Sequence, residues 1–319
     1  ISTSGIRPQP GTAHEASGSG ARVHDSRGLV GTDRSFLFTP LNPIPHAPQA
    51  RGLGAMSDSV HLDVADGIAT ITLDEPDSRN AFTRAVAGDL SARLDELEDR
   101  TDVRCVVVAG NGPAFSAGGD IHHMRERLDS DEPTDEAVQL LARRTRDTIA
   151  RILTLPWPTV AQIDGPAVGA GANLALACDV LLASESASIG FVFRQVGLTV
   201  DMGTSYLLPR VVGVNVAKEL VYTGEVIDAE RAADLGLFNH VYPDGDFEAE
   251  VDAMVDRIAS GPTVALRHAK RLVQDGLEKD FDRAQRDEVT AQGIVFETRD
   301  HEEGVAAFLE DRPPEFEGR

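Results

Sequence analysis

The chain has 319 residues, with 30 Lys plus Arg against 52 Asp plus Glu and a formal charge of −22. Such an excess of carboxylates repels phosphate backbones and anionic bilayers, so nucleic acid and membrane surfaces are set aside as partners. No apolar run approaches the ~20 residues of a membrane helix, no charged-then-apolar leader opens the chain, and the only cysteines, Cys105 and Cys178, sit in apolar runs as buried thiols do; a cytoplasmic location is expected.

Residues 1–55 are rich in Gly, Ser, Pro and His without apolar periodicity and read as a disordered, tag-like or read-through extension. Patterned sequence follows Met56, with the fold expected to begin near Val60. Gly67 to Leu73 reads as a strand. Phe82 to Arg100, with Leu90, Leu94 and Leu97 three or four apart, reads as a helix. Val103 to Ala109 is a buried strand closed by the turn cluster Gly110-Asn111-Gly112-Pro113. Thr134 to Leu153 is expected to form one helix, stopping before Pro156 and Pro158. Val160 to Ile163 is a strand, Ala170 to Ala177 a small-residue helix, Val180 to Ala183 a strand, and Ser205 to Val211 opens a mainly helical second half. Repeated βα units followed by helices argue an α/β core, residues 56–255, with a C-terminal helical region, residues 256–319.

Two glycine-containing turns are placed between a strand and a helix: Phe115-Ser116-Ala117-Gly118-Gly119-Asp120-Ile121, and Gly165 through Asn173. Turns of this kind leave backbone N–H groups unpaired at a helix start. Two such donors aimed at one oxygen form an oxyanion hole, able to stabilise enolate charge on a thioester carbonyl. Each turn taken singly is more often plain punctuation. Gly169-Ala170-Gly171-Ala172-Asn173 lacks the spacing of a dinucleotide loop, and no Gly-Lys-Ser/Thr phosphate loop occurs, so nucleotide cofactors are set aside.

Taken together, Arg79-Asn80-Ala81-Phe82, Phe115 to Ile121, Gly165 to Asp179 and Gly197 to Pro209 resemble, in order and spacing, the enoyl-CoA hydratase/isomerase (crotonase) superfamily over roughly Val60 to Phe316. The resemblance implies a spiral of ββα repeats, an acyl-CoA thioester as substrate with CoA as part of it and no separate cofactor or metal, and a homotrimer or a dimer of trimers joined through the C-terminal helices. It implies oxyanion donors at the amides of Gly119 and Ala170. Ala81, Ala117, Asp120 and Ile121 would line the CoA path, Gly169 would contact the substrate, and Phe308 and Arg312 would reach toward CoA.

Hydratases of this family hold one water between two glutamates. Those positions here are Asn173 and Phe193, and neither is a general base. They remain expected substrate contacts. Gly197 to Thr204 instead carries Asp201 where the region resembles dienoyl-CoA isomerases and ring-epoxide isomerases with a catalytic aspartate. From the residues alone, Asp201 is either an N-cap for the helix that follows or a desolvated acid/base group. Burial would raise its pKa and the helix N-terminus would lower it, and sequence leaves that balance open. An enoyl-CoA isomerase with Asp201 as acid/base is the favoured reading. The alternatives are a hydratase, an aroyl-CoA dehalogenase-like enzyme with Asp201 as nucleophile, and a non-catalytic acyl-CoA-binding homologue.

Phe191, Phe193, Val196 and Tyr206 are expected around the acyl group. Adjacent His122 and His123 point apart on a helix and do not make a metal site, even with Glu126 nearby. Ser116 has no evident His and Asp partners for a hydrolytic triad, and Asp179 reads as structural.

Overall fold

A computed structural model describes residues 58–130 and 133–319; the extension expected over residues 1–55 lies outside the described residues. Strands β1 (Val60–Ala65) and β2 (Ile68–Leu73) form a two-residue hairpin in which Ala65 pairs with Ile68. Asp66 and Gly67 both take positive φ (51° and 81°), as a hairpin turn twisted like its strands requires. Helix α1 (Arg84–Glu98) starts where the Thr83 hydroxyl accepts the Val86 N–H at 3.1 Å, and it buries Val86, Leu90, Leu94 and Leu97. Then come β3 (Cys105–Gly110), α2 (Ile121–Leu128), α3 (Thr134–Asp147), α4 (Ile149–Thr154), β4 (Thr159–Ile163), β5 (Pro166–Val168), α5 (Ala170–Leu176), β6 (Val180–Ser184) and β7 (Ser188–Gly190). A 3₁₀ turn over Val192–Val196 leads toward α6 (Thr204–Val212), α7 (Val214–Thr223), β8 (Val226–Asp228), α8 (Ala229–Asp234), β9 (His240–Tyr242) and α9 (Phe247–Ala259). Helices α10 (Thr263–Gly276), α11 (Phe281–Val295) and α12 (Arg299–Leu309) follow.

Six strands form one sheet in the order β1-β2-β3-β4-β6-β9, parallel from β2 onward. Its inner strands β3, β4 and β6 read as near-continuous apolar runs because both faces are covered, whereas the edge strand β1 alternates buried or half-buried residues with exposed ones. Val106, Val108, Ala161 and Ile163 face the main core, whereas Cys105, Val107, Val160 and Leu182 pack under Phe247, Val251 and Val255 of α9. The second sheet, β5-β7-β8, is narrow, but two parallel bridges extend it: Ser116 with Ala167, and Phe82 with Gly119. Successive passes of the chain therefore leave one strand in the wide sheet and a shorter one in the narrow sheet, which is the spiral of ββα repeats.

The helix expected over Thr134 to Leu153 is two. Thr148, at φ −128° and ψ −81°, breaks it, and its hydroxyl donates to the Arg144 carbonyl oxygen at 2.6 Å. The break lets Ile149 and Ile152 turn into the core while α3 presents a different face to the space beside it. Strands β5, β7, β8 and β9 escape the sequence reading because three residues are too few for a period to register. Lys270 of α10 docks on the sheet: its Nζ lies 2.7 Å from Asp179 Oδ2 and 3.1 Å from the Trp157 carbonyl oxygen. Asp179 also accepts the Thr159 N–H and hydroxyl at 2.8 and 2.9 Å, a structural role as expected.

Candidate active site

The two glycine turns meet at the edge of the narrow sheet. Gly118 has φ +84°, and a Cβ placed on it would lie 2.4 Å from the Val168 carbonyl oxygen and 3.4 Å from the Ala170 nitrogen. Gly171 is held as closely, since a Cβ placed on it would lie 2.6 Å from both the carbonyl oxygen and the Cβ of Ser116 in the opposing turn. Only glycine permits this approach. Ser116 has no free hydroxyl: it donates to the Asn80 carbonyl at 2.7 Å and accepts the Gly118 N–H at 3.3 Å.

The parallel bridge between Phe82 and Gly119 sends the Phe82 N–H to the Gly118 carbonyl at 2.7 Å. In that ladder pattern Gly119 turns its own N–H away from Phe82. Ala170 is the first residue of α5, behind Gly169 at φ +54° and ψ −117°, so its N–H precedes the helical ladder. Gly119 and Ala170 both line one cavity of about 500 Å³, together with Ala117, Asp120, Ile121, Gly169, Phe193 and Asp201. Each turn lies between a strand and a helix as the sequence reading has it, the first between β3 and α2 and the second between β4 and α5, with the short strand β5 inside the second.

Asp201 does not cap α6. Gly203 occupies that position without a side-chain cap, and it is the Asp201 backbone carbonyl that is engaged, accepting the Thr204 N–H and hydroxyl at 3.0 and 2.9 Å and the Asn173 amide at 3.1 Å. The carboxylate is left to the cavity, with Oδ1 buried and without a hydrogen-bond partner. Burial alone pushes its pKa up from the ordinary carboxylate range. The balance left open by sequence thus falls to desolvation. Met202 beside it takes φ +47°, a strained setting for a side-chain-bearing residue that the surrounding packing must hold.

Residues 63–319 match the enoyl-CoA hydratase/isomerase family. The chain belongs to that family. A protein of Rhodobacter capsulatus named "Probable enoyl-CoA hydratase" is 36% identical over 262 residues, covering 82% of this chain and 98% of its own. The 1,2-epoxyphenylacetyl-CoA isomerase of Escherichia coli is 30% identical over 264 residues, covering 83% and 100%. A crystal structure of an enoyl-CoA hydratase from Bacillus anthracis superposes with a TM-score of 0.76 at 33% identity, covering 82% of this chain and all of that one. Enzymes of the enoyl-CoA hydratase/isomerase family act on acyl-CoA thioesters, and among the described residues no helix is long and apolar enough to cross a membrane.

Not every residue carried over from the enoyl-CoA hydratase/isomerase family lines the cavity. Asn173 is fully buried behind it, where Oδ1 accepts the Thr204 hydroxyl at 2.7 Å and the amide holds the Asp201 carbonyl. It supports the loop that carries Asp201. Phe82 and Thr83 are wall residues where Ala81 is not. Phe308, 86% exposed, and Arg312, ion-paired with Glu303 and Glu310, belong to the C-terminal end and are not cavity walls within one chain. Phe193 and Val196 line the space, whereas Phe191 is core and the Tyr206 hydroxyl donates to Glu278 at 2.8 Å. Asp120 lines the cavity but caps α2, its Oδ1 accepting from the His122 and His123 amides.

Sequence reasoning missed the wall opposite. It consists of Met124 from α2, Ala137, Leu140, Leu141 and Arg144 from α3, and Leu198. The spacing of Ala137, Leu140, Leu141 and Arg144 at i, i+3, i+4 and i+7 is the one signal that marks this face.

Proposed function

We propose that this chain is an enoyl-CoA isomerase in which Asp201 moves the proton. The observation that carries the reading is the desolvated, unpartnered Asp201 oxygen in the same cavity as the Gly119 and Ala170 amides. A thioester oxygen seated on those two N–H groups becomes easier to enolise, because the negative charge that develops on it meets fixed donors. Asp201 removes a proton from C2 of a 3-enoyl thioester, the electron pair passes through the enolate to the former double bond, and the acid returns the proton to C4. The product is the conjugated 2-enoyl thioester, the carboxylate is regenerated, and no water is consumed. Phe193 offers no hydrogen bond to hold a water, and both polar ends of the Asn173 side chain are occupied. The oligomer proposed is a trimer or a dimer of trimers, supported by the apolar side chains that α10 to α12 expose, Leu277, Phe281, Val289 and Leu309 among them.

Hydration is the second reading, favoured by the hydratase name of the 36% identical Rhodobacter capsulatus relative. Ultraviolet assays of the full chain and of Asp201→Asn with 3-enoyl-CoA, 2-enoyl-CoA and a 2,5-dienoyl-CoA separate the two. The expected result is double-bond migration that falls about 10²-fold or more in the variant. Water addition to 2-enoyl-CoA that is insensitive to Asp201→Asn would establish a hydratase acting by another route.

A further inference from the structure

A residue of the cavity wall carries a second buried polar atom without a partner. Arg144 Nη2, on the α3 wall, is covered and makes no hydrogen bond. Its surroundings on that wall are Met124, Ala137, Leu140 and Leu141, and a guanidinium there without a hydrogen-bonded anion bears a desolvation that only the more distant Asp120 offsets. Burial, and after it the like charge of Arg84, pulls its pKa below the ordinary arginine value, while Asp120 acts weakly in the opposite direction. Asp120 has an oxygen committed to the α2 cap. Asp201 is not its partner either, since burial is the sole influence on that carboxyl. The cavity therefore has two separate unsatisfied groups, one a base and one a cation.

We propose that Arg144 binds a carboxylate carried on the acyl group, so that the preferred substrates are thioesters of dicarboxylic acids. This rests on the reading of the cavity as the acyl-CoA site. A planar guanidinium pairs with a carboxylate through parallel N–H bonds. The phosphates of CoA are the other anions such a substrate brings, but they are heavily hydrated groups suited to a rim, whereas Nη2 has no exposure and stands on an apolar wall that fits a carbon chain.

The test is calorimetric titration of the full chain with glutaryl-CoA and with valeryl-CoA, saturated thioesters of equal chain length that no isomerase or hydratase turns over. Wild type is expected to bind glutaryl-CoA at least tenfold more tightly, the scale of one hydrogen-bonded charge pair. Arg144→Met should erase that preference by weakening glutaryl-CoA alone, and Arg144→Lys, which keeps the charge, should retain part of it. Equal weakening of both thioesters by Arg144→Met would assign the contact to the CoA phosphates and overturn the proposal, as would the absence of any preference in wild type. Failure of wild type to bind either thioester would overturn the cavity reading itself, while failure of the isomerase assay alone leaves this comparison intact.

Discussion

Gly118→Ala tests the proposed oxyanion hole through its geometry. The new Cβ would lie 2.4 Å from the Val168 carbonyl oxygen, against the ~3.3 Å at which carbon and oxygen normally meet, so the turn must yield by about 0.9 Å. The φ of +84° adds roughly 1–2 kcal/mol of backbone strain, and forcing the close contact adds about 1–3 kcal/mol. The same Cβ stands 3.4 Å from the Ala170 nitrogen, and Gly119 is the next residue, so both proposed donors move with the turn. Displacement of that size costs on the order of 10²-fold in rate when the displaced groups stabilise the transition state, and the loss should fall on kcat rather than KM. Steady-state kinetics with the best enoyl-CoA substrate, beside urea unfolding, provides the measurement. Gly236→Ala is the control, with a similar φ of +77° and no atom near its added Cβ, and it should lose stability without losing rate. A Gly118→Ala enzyme that folds and keeps kcat within about twofold would refute the assignment of these amides, whichever reaction the enzyme performs.

Asp201 gives two pH signatures. As a base with a raised pKa, it should set an acidic limb of kcat/KM above the usual aspartate range, and Asp201→Asn should remove both the limb and the activity. Because burial favours the neutral acid in the folded protein, its contribution to stability is whole below the unfolded pKa and is lost as pH rises through the raised folded value; Asp201→Asn should therefore raise Tm more at pH 8 than at pH 4. Lys270→Met strands Asp179, whose side chain is only 24% exposed, though Thr159 still satisfies it, so a loss of about 3 kcal/mol is expected in thermal unfolding, roughly 6–10 °C. Burial pushes the Cys105 thiol up to about 12 and Cys178 up as well, so iodoacetamide at pH 8 should label neither in the native protein and both once urea is added. Rapid native labelling would contradict their burial.

Much of this was legible in the residues, and the reasons for what was not are local. The middle of the wide sheet was readable because runs such as Cys105-Val106-Val107-Val108 are buried on both faces. The narrow sheet was not, since bridges through Ser116 and Phe82 depend on turns rather than on apolar period. The two glycine turns were marked by their place between strand and helix, but their reading as oxyanion donors and that of Asp201 as the acid/base group came from the resemblance of the motifs; from the residues alone Asp201 also read as an N-cap. Whether that carboxylate faced the helix or the cavity depended on Gly203 and Asn173, whose roles arise only once α5 and α6 touch. Arg144 was missed because a cation in the last turn of an amphipathic helix is ordinarily a solvated end.

The two halves of the site are encoded differently. The proposed donors, the amides of Gly119 and Ala170, belong to the main chain and are positioned by β5, α5 and the bridge to Phe82, so a point substitution cannot delete them without first breaking a turn. Asp201, Asn173, Phe193 and Arg144 are side chains, each exchangeable in one step. On the proposed reading, a lineage built on this frame can change which bond it acts on, and which acyl groups it admits, while inheriting thioester activation unchanged.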